Sequence, residues 1–199
     1  MNTVLQLTTS LQGADGESSR LARDFVEQLG AREVIARDLA KDPVPHLDAE
    51  RFGAFVAPAE LRNEAQKRIA AYSDRLINEL RRADTIVIGL PMYNFGVPSG
   101  FKAWIDHVAR AGVTFRYTEK GPVGLLGGKK AYVFATRGGY YAGTRADTQT
   151  QYVRDILAFI GITDVEFVYA EGLAIGESVR AASLAKARAS IEDLVPALA

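Results

Sequence analysis

The chain is 199 residues long, 48% hydrophobic and 24% charged, a globular composition that excludes disordered and fibrous classes and predicts one domain over residues 1–199. Twenty-four basic and 24 acidic residues cancel to a net charge of zero, so no nucleic-acid partner is expected. The absence of cysteine excludes disulfides, thiolate metal sites and a cysteine nucleophile, and any redox chemistry needs a borrowed cofactor.

The first residues, Met1-Asn2-Thr3-Val4-Leu5, lack a cationic leader, and no apolar run approaches the roughly 20 residues that span a bilayer. No membrane partner and a cytoplasmic location are therefore expected. Thr3 to Thr9 is rich in Val, Leu and Thr and predicts a first strand, which ends in Ser10 and a loop bearing Gly13 and Gly16. Leu21, Ala22, Phe25, Val26 and Leu29 then recur at helical spacing, with Ser18 or Ser19 as cap and Gly30 just beyond the end. Val34 and Ile35 predict a short strand. An aperiodic stretch from Pro43 to Pro58 follows, a long connection expected to be partly helical or functional, after which Leu61, Ala65, Ile69, Tyr72, Leu76 and Leu80 trace one face of a long helix.

Thr85 to Leu90 is almost wholly apolar, as a parallel strand covered on both faces requires, and Pro91 stops it. Phe101, Trp104, Ile105 and Val108 predict a helix before Gly112. Ala131 to Ala135 is a fourth strand, Thr148 to Ile160 a helix, and Val165 to Tyr169 a fifth strand. Leu184, Ala187, Ile191 and Leu194 mark a last helix. Five strands alternating with helices imply an α/β fold, a five-stranded parallel sheet with helices on both faces, for which we choose the flavodoxin-like order 2-1-3-4-5. Ligands of such sheets bind outside the carboxyl ends of the strands, beside strand one.

Three loops at that edge carry candidate chemistry. Ser10 to Ser19 leads into a helix whose free N–H groups and dipole favour an anion such as a phosphate; Ser18 alternatively only caps the helix. If Glu17 contacts a phosphate, its backbone N–H makes the contact, because its carboxylate would repel one. The loop Pro91 to Pro98 places Tyr93, Asn94 and Phe95 at a strand end, where the rings either meet a flat ligand or fold onto the core. Thr136-Arg137-Gly138-Gly139-Tyr140-Tyr141 pairs bare backbone with two rings, as either a ligand loop or a plain turn. A phosphate seat, stacking groups and bare backbone together describe a site for flavin mononucleotide (FMN). Only two histidines occur, His46 and His107, so no metal site is expected and both are read as structural or solvated. Lys102 and Arg137 either attract an anionic substrate or cofactor or are solvated charges, the commoner state of a lone cation, and Trp104 lies in a helix stripe suited to a core or a subunit interface.

With these loops in place, the sequence resembles the FMN-dependent NADH:quinone oxidoreductases that also reduce azo dyes. The resemblance covers nearly the whole chain and rests on Pro91-Met92-Tyr93-Asn94-Phe95, residues 108–119 (VARAGVTFRYTE), Thr136-Arg137-Gly138-Gly139 and residues 159–165 (FIGITDV). It implies FMN contacts from Ser10, Gly16, Glu17 and Ser18, from Met92, Tyr93, Asn94 and Phe95, and from Thr136, Arg137, Gly138 and Gly139. It also implies substrate walls at Tyr117 and Phe159, and a homodimer, for which the Trp104 stripe is a second indication. The chain departs from the pattern at Gly16 and Glu17 and at Tyr140 and Tyr141.

Two functions follow. In one, NADH reduces bound FMN and a quinone or azo compound is then reduced in a ping-pong cycle, with no catalytic side chain because the hydride passes by way of the flavin. In the other, the chain is a flavodoxin-like one-electron carrier, although a net charge of zero does not suggest the acidic docking face of such carriers.

Overall fold

A computed structural model describes residues 3–195; Met1 and Asn2, which bear on the leader expectation, lie outside them. The central sheet contains β1 (Thr3–Thr8), β2 (Glu33–Asp38), β3 (Thr85–Pro91), β6 (Lys130–Thr136) and β7 (Asp164–Ala170). Between β3 and β6 the chain forms an antiparallel hairpin of β4 (Phe115–Thr118) and β5 (Gly121–Gly124). The helices are α1 (Glu17–Leu29), α2 (Ala49–Val56), α3 (Glu64–Arg82), α4 (Ser99–Val108), α5 (Thr148–Phe159) and α6 (Glu177–Leu194). All sheet pairings are parallel in the order β2-β1-β3-β6-β7, which is the expected 2-1-3-4-5 once the hairpin is set aside.

Alternating side chains divide the core into two layers. Leu5, Leu7, Ile86, Ile88, Ala131 and Val133 face α3, α4 and α5, while Val4, Val87, Tyr132 and Phe134 face α1 and α6. This is the period of two that a sheet buried on both faces demands. Each fully buried large apolar side chain contributes about 1.5–3 kcal/mol. Trp104, 0% exposed and stacked on Phe101 at 5.8 Å, belongs to the first layer. It therefore offers nothing to a subunit interface, and that indication of a dimer is withdrawn.

Several boundaries differ from the sequence expectation for local reasons. Strand β1 stops at Thr8, because Thr9 turns its hydroxyl onto the carbonyl of Gly89 at 2.8 Å. Asn63 and Gln66 form a capping box that starts α3 at Glu64, which leaves Leu61 outside the helix and 74% exposed. Asp48 caps α2 through Arg51 N, so the long connection is partly helical, in agreement with one of its two readings. Strand β2 runs to six residues because its whole length pairs with β1.

His107 is buried, as the structural alternative for it requires. It lies edge-on to Phe55 and Tyr72, with Nδ1 2.9 Å from the carbonyl oxygen of Ala103. Burial pushes its pKa below the ordinary 6.5, the Ala103 bond opposes that shift, and the nearby Arg51 charge adds to it. The unfolded chain takes up this proton near pH 6.5 and the folded chain only at lower pH. Stability is therefore expected to fall as pH drops below about 6.5. His107→Gln should flatten that slope between pH 7 and 5, as checked by urea unfolding; an unchanged slope contradicts the assignment.

Candidate functional site

The carboxyl edge of the sheet gathers the three expected loops. Glycine is required at position 89, where a Cβ would come 2.7 Å from the carbonyl oxygen of Ser18. The first turn of α1 thus lies directly on β3. Gly16 precedes the helix with no side-chain cap, and no described residue accepts from the N–H groups of Glu17, Ser18 and Ser19. Ser18 is 1% exposed and its Oγ has no partner. Ser10, 3% exposed, accepts from Gln12 N at 3.2 Å, and a Cβ on Gly16 would strike its Oγ at 2.1 Å. This turn is therefore a seat with several donors and no internal acceptor.

The loop after β3 is a two-residue hairpin. Tyr93 and Gly96 exchange backbone bonds of 3.1 and 3.0 Å, while Asn94 and Phe95 are both left-handed, at φ of 50° and 62°. Neither residue is glycine, and such a conformation costs on the order of 1 kcal/mol for each. Four contacts hold it. Met92 N donates to the Thr136 carbonyl at 2.9 Å, the Tyr93 hydroxyl accepts from Leu11 N at 3.1 Å, Gln149 Nε2 donates to the Pro91 carbonyl at 3.0 Å, and the Thr148 hydroxyl donates to the Phe95 carbonyl. The N–H groups of Asn94 and Phe95 are left without partners, and Phe95 is 54% exposed. Leu39, Pro43, Val44 and the exposed His46 complete a hollow of about 450 Å³ beside Tyr93 and Asn94.

The loop after β6 is pinned through its carbonyls, since Leu173, Ala174 and Gly172 donate to Arg137, Gly138 and Gly139 at 3.0–3.1 Å. The N–H groups of Gly138 and Gly139 again have no partner. The Arg137 side chain is not solvated. It is 0% exposed, paired with Asp147 at 2.8 Å and Glu171 at 3.2 Å, and lies over the Tyr169 ring. Burial raises the Asp147 carboxyl pKa, but hydrogen bonds from Arg137 and Thr150 outweigh it and hold it below the ordinary 3.8. Glu171 also accepts from Tyr141 N and Ala142 N at 2.8 Å. Arg137 thus braces the loop from behind rather than facing a ligand. Lys102, for its part, is paired with Asp106 at 2.6 Å.

Tyr117 and Phe159 lie elsewhere. They meet through Phe115, with ring centroids 5.5 and 4.2 Å away, where a close contact of Gly124 with Gly161 seats the hairpin on the end of α5. Thr148, at the start of α5, bonds Phe95 in the loop after β3, whereas Phe159 ends that helix. The separation along the helix is about 17 Å.

The arrangement has relatives. A family model described as a flavodoxin-like fold matches residues 2–195. FMN-dependent NADH:quinone oxidoreductases from Cellvibrio japonicus and Alcanivorax borkumensis are 52% and 53% identical over 190 and 192 residues. Each alignment covers 94% of this chain, with 96% and 97% of the relatives. The chain belongs to this flavodoxin-like family of FMN-dependent NADH:quinone oxidoreductases. Among solved structures, an FMN-dependent NADH-azoreductase from Bacillus anthracis in complex with FMN superposes with a TM-score of 0.89 at 27% identity, covering all of both chains.

For a member of this family, the donors present fit FMN. Unpaired N–H groups and the orphaned Ser18 Oγ suit a phosphate, and the N–H groups of positions 94, 95, 138 and 139 suit the polar edge of a flavin ring. Gly89, Gln149 and Glu171 also serve these loops and are not among the residues expected there. The only signal for Gly89 was a glycine inside an apolar strand.

Asn94→Gly and Asn94→Ala both remove the side-chain amide, but only glycine keeps the left-handed turn without cost. The alanine variant should be about 1 kcal/mol less stable than the glycine variant and bind FMN more weakly. Urea unfolding and flavin titration check this, and equal behaviour of the two variants contradicts it.

Proposed function

We infer that the chain is an FMN-dependent NADH:quinone oxidoreductase that also reduces aromatic azo compounds. The observation that carries this is the convergence of three sets of unpaired N–H groups on one sheet edge, beside the buried, unpartnered Ser18 Oγ. The names of the relatives support it: they describe FMN-dependent NADH:quinone oxidoreductases, and two similar solved structures are named azoreductases.

Residues 1–199 act as one domain. Ser10, Gly16, Glu17 and Ser18 hold the phosphate, with Glu17 contributing its N–H. Met92 to Phe95 and Thr136 to Gly139 hold the ring system, with Arg137 positioning rather than touching it. FMN held there would supply a hydride acceptor for NADH and a two-electron donor for the quinone or azo compound. The chain's own contribution is placement: fixed N–H dipoles favour negative charge on the flavin's polar edge, and the pinned loops spend no energy reorganising. No side chain is needed as nucleophile or acid.

The distance between Phe159 and the flavin loops supports a homodimer. Tyr117, 73% exposed, lies with Phe159 away from the loops of its own chain, and a second copy of the chain would supply both as substrate walls. A cytoplasmic location fits the cysteine-free sequence, and no helix among the described residues is long and apolar enough to cross a membrane.

One slot serving both substrates predicts ping-pong kinetics. Double-reciprocal plots against NADH at several fixed quinone concentrations should be parallel, and Phe159→Ala should raise the quinone KM while FMN stays bound. Intersecting lines contradict the single slot.

A further inference from the structure

Glu17 poses an electrostatic problem at the seat just described. It is the first residue of α1, so its N–H points with those of Ser18 and Ser19 toward the place where a phosphate fits, yet it carries a carboxylate on the same residue. A carboxylate at a helix N-terminus is attracted by the same dipole and N–H groups that would hold the phosphate, so the two anions compete and repel. Its side chain is only 12% exposed, and its Oε2 is buried without a partner, so water does little to screen it.

A cation from a distant part of the chain meets it. Arg180 Nη2, in the first turn of α6, donates to Glu17 Oε1 at 2.5 Å across a sequence separation of 163 residues. Arg20 is farther, at 3.7 Å, and shares its charge with the exposed Asp15 at 3.2 Å. The nearest full counter-charge to Glu17 is therefore Arg180.

We propose that Arg180 sets the affinity for the phosphate of FMN by acting through Glu17, drawing its carboxylate toward α6 and neutralising it beside the phosphate seat. This rests on the phosphate lying at the α1 N-terminus and extends that assignment to a residue outside the site. An Arg180 that only fastened α6 to α1 would affect every flavin alike. One that neutralises Glu17 affects only flavins that carry a phosphate.

The test is titration of full-length protein stripped of flavin, by flavin fluorescence, with FMN and with riboflavin, which lacks the phosphate. Arg180→Ala should raise the Kd for FMN about tenfold, the scale of one unit charge left unpaired a few ångströms from a phosphate in a partly screened site, and leave that for riboflavin unchanged. Adding Glu17→Gln to Arg180→Ala should restore FMN affinity. Glu17→Gln alone, which disturbs no packing, should bind FMN at least as tightly as the wild type. Equal weakening of both flavins by Arg180→Ala, no rescue by Glu17→Gln, or weaker FMN binding by Glu17→Gln alone each overturns the proposal. Wild-type protein that binds FMN no tighter than riboflavin instead overturns the phosphate assignment beneath it, and the proposal with it.

Discussion

The whole carboxyl edge depends on how closely α1 approaches β3. At Gly89 the backbone of Ser18 and Ser19 lies where any Cβ would intrude, with contacts of 2.7 to 3.2 Å. Because the obstructing atoms are backbone, no side-chain movement relieves the clash, and a larger residue would lift the helix off the sheet. That contact fixes where the free N–H groups of the first turn point relative to the strand ends. Thr9, bonded to the carbonyl of the same Gly89, fixes the chain that enters the turn.

From that anchor the other two loops are tied in sequence. Leu11 N reaches the Tyr93 hydroxyl and Met92 N the Thr136 carbonyl, so the loops after β1, β3 and β6 form one bonded unit, which Arg137 N ties to the end of β7 at the Ala170 carbonyl. The bonds consume carbonyls and the flanking N–H groups but spare the N–H groups at positions 94, 95, 138 and 139. Strain at Asn94 and Phe95 and a buried ion-pair network around Arg137 both serve this end. Each costs free energy or specific partners, and each holds donors in place before any ligand arrives. Tyr117 and Phe159 stand outside the unit, at the far end of α5, which is why a second copy of the chain enters the functional account.

Much of this was legible in the residues. The parallel sheet followed from strands alternating with helices, its order was a choice among such sheets, and the three loops followed from the rule that ligands bind at strand carboxyl ends. The central strand stood out because Thr85 to Leu90 contains no charged residue. Other features depend on distant partners and have no local signature. The hairpin at Phe115–Thr118 is short and exposed along most of its first strand, so it carries no hydrophobic period. Helix α2 is short and starts at its Asp48 cap. Arg137 looks solvated until Asp147 and Glu171, from two other elements, are brought to it, and Trp104 gives no sign in sequence of whether its face meets the core or a neighbour.

The most direct test of the central claim is amide hydrogen exchange by NMR, with and without FMN. The unpaired amides of Glu17, Ser18 and Ser19, of Asn94 and Phe95, and of Gly138 and Gly139 should exchange freely in the flavin-free protein and slow together when FMN binds. FMN binding that protected amides elsewhere while leaving these three sets unchanged would contradict the account.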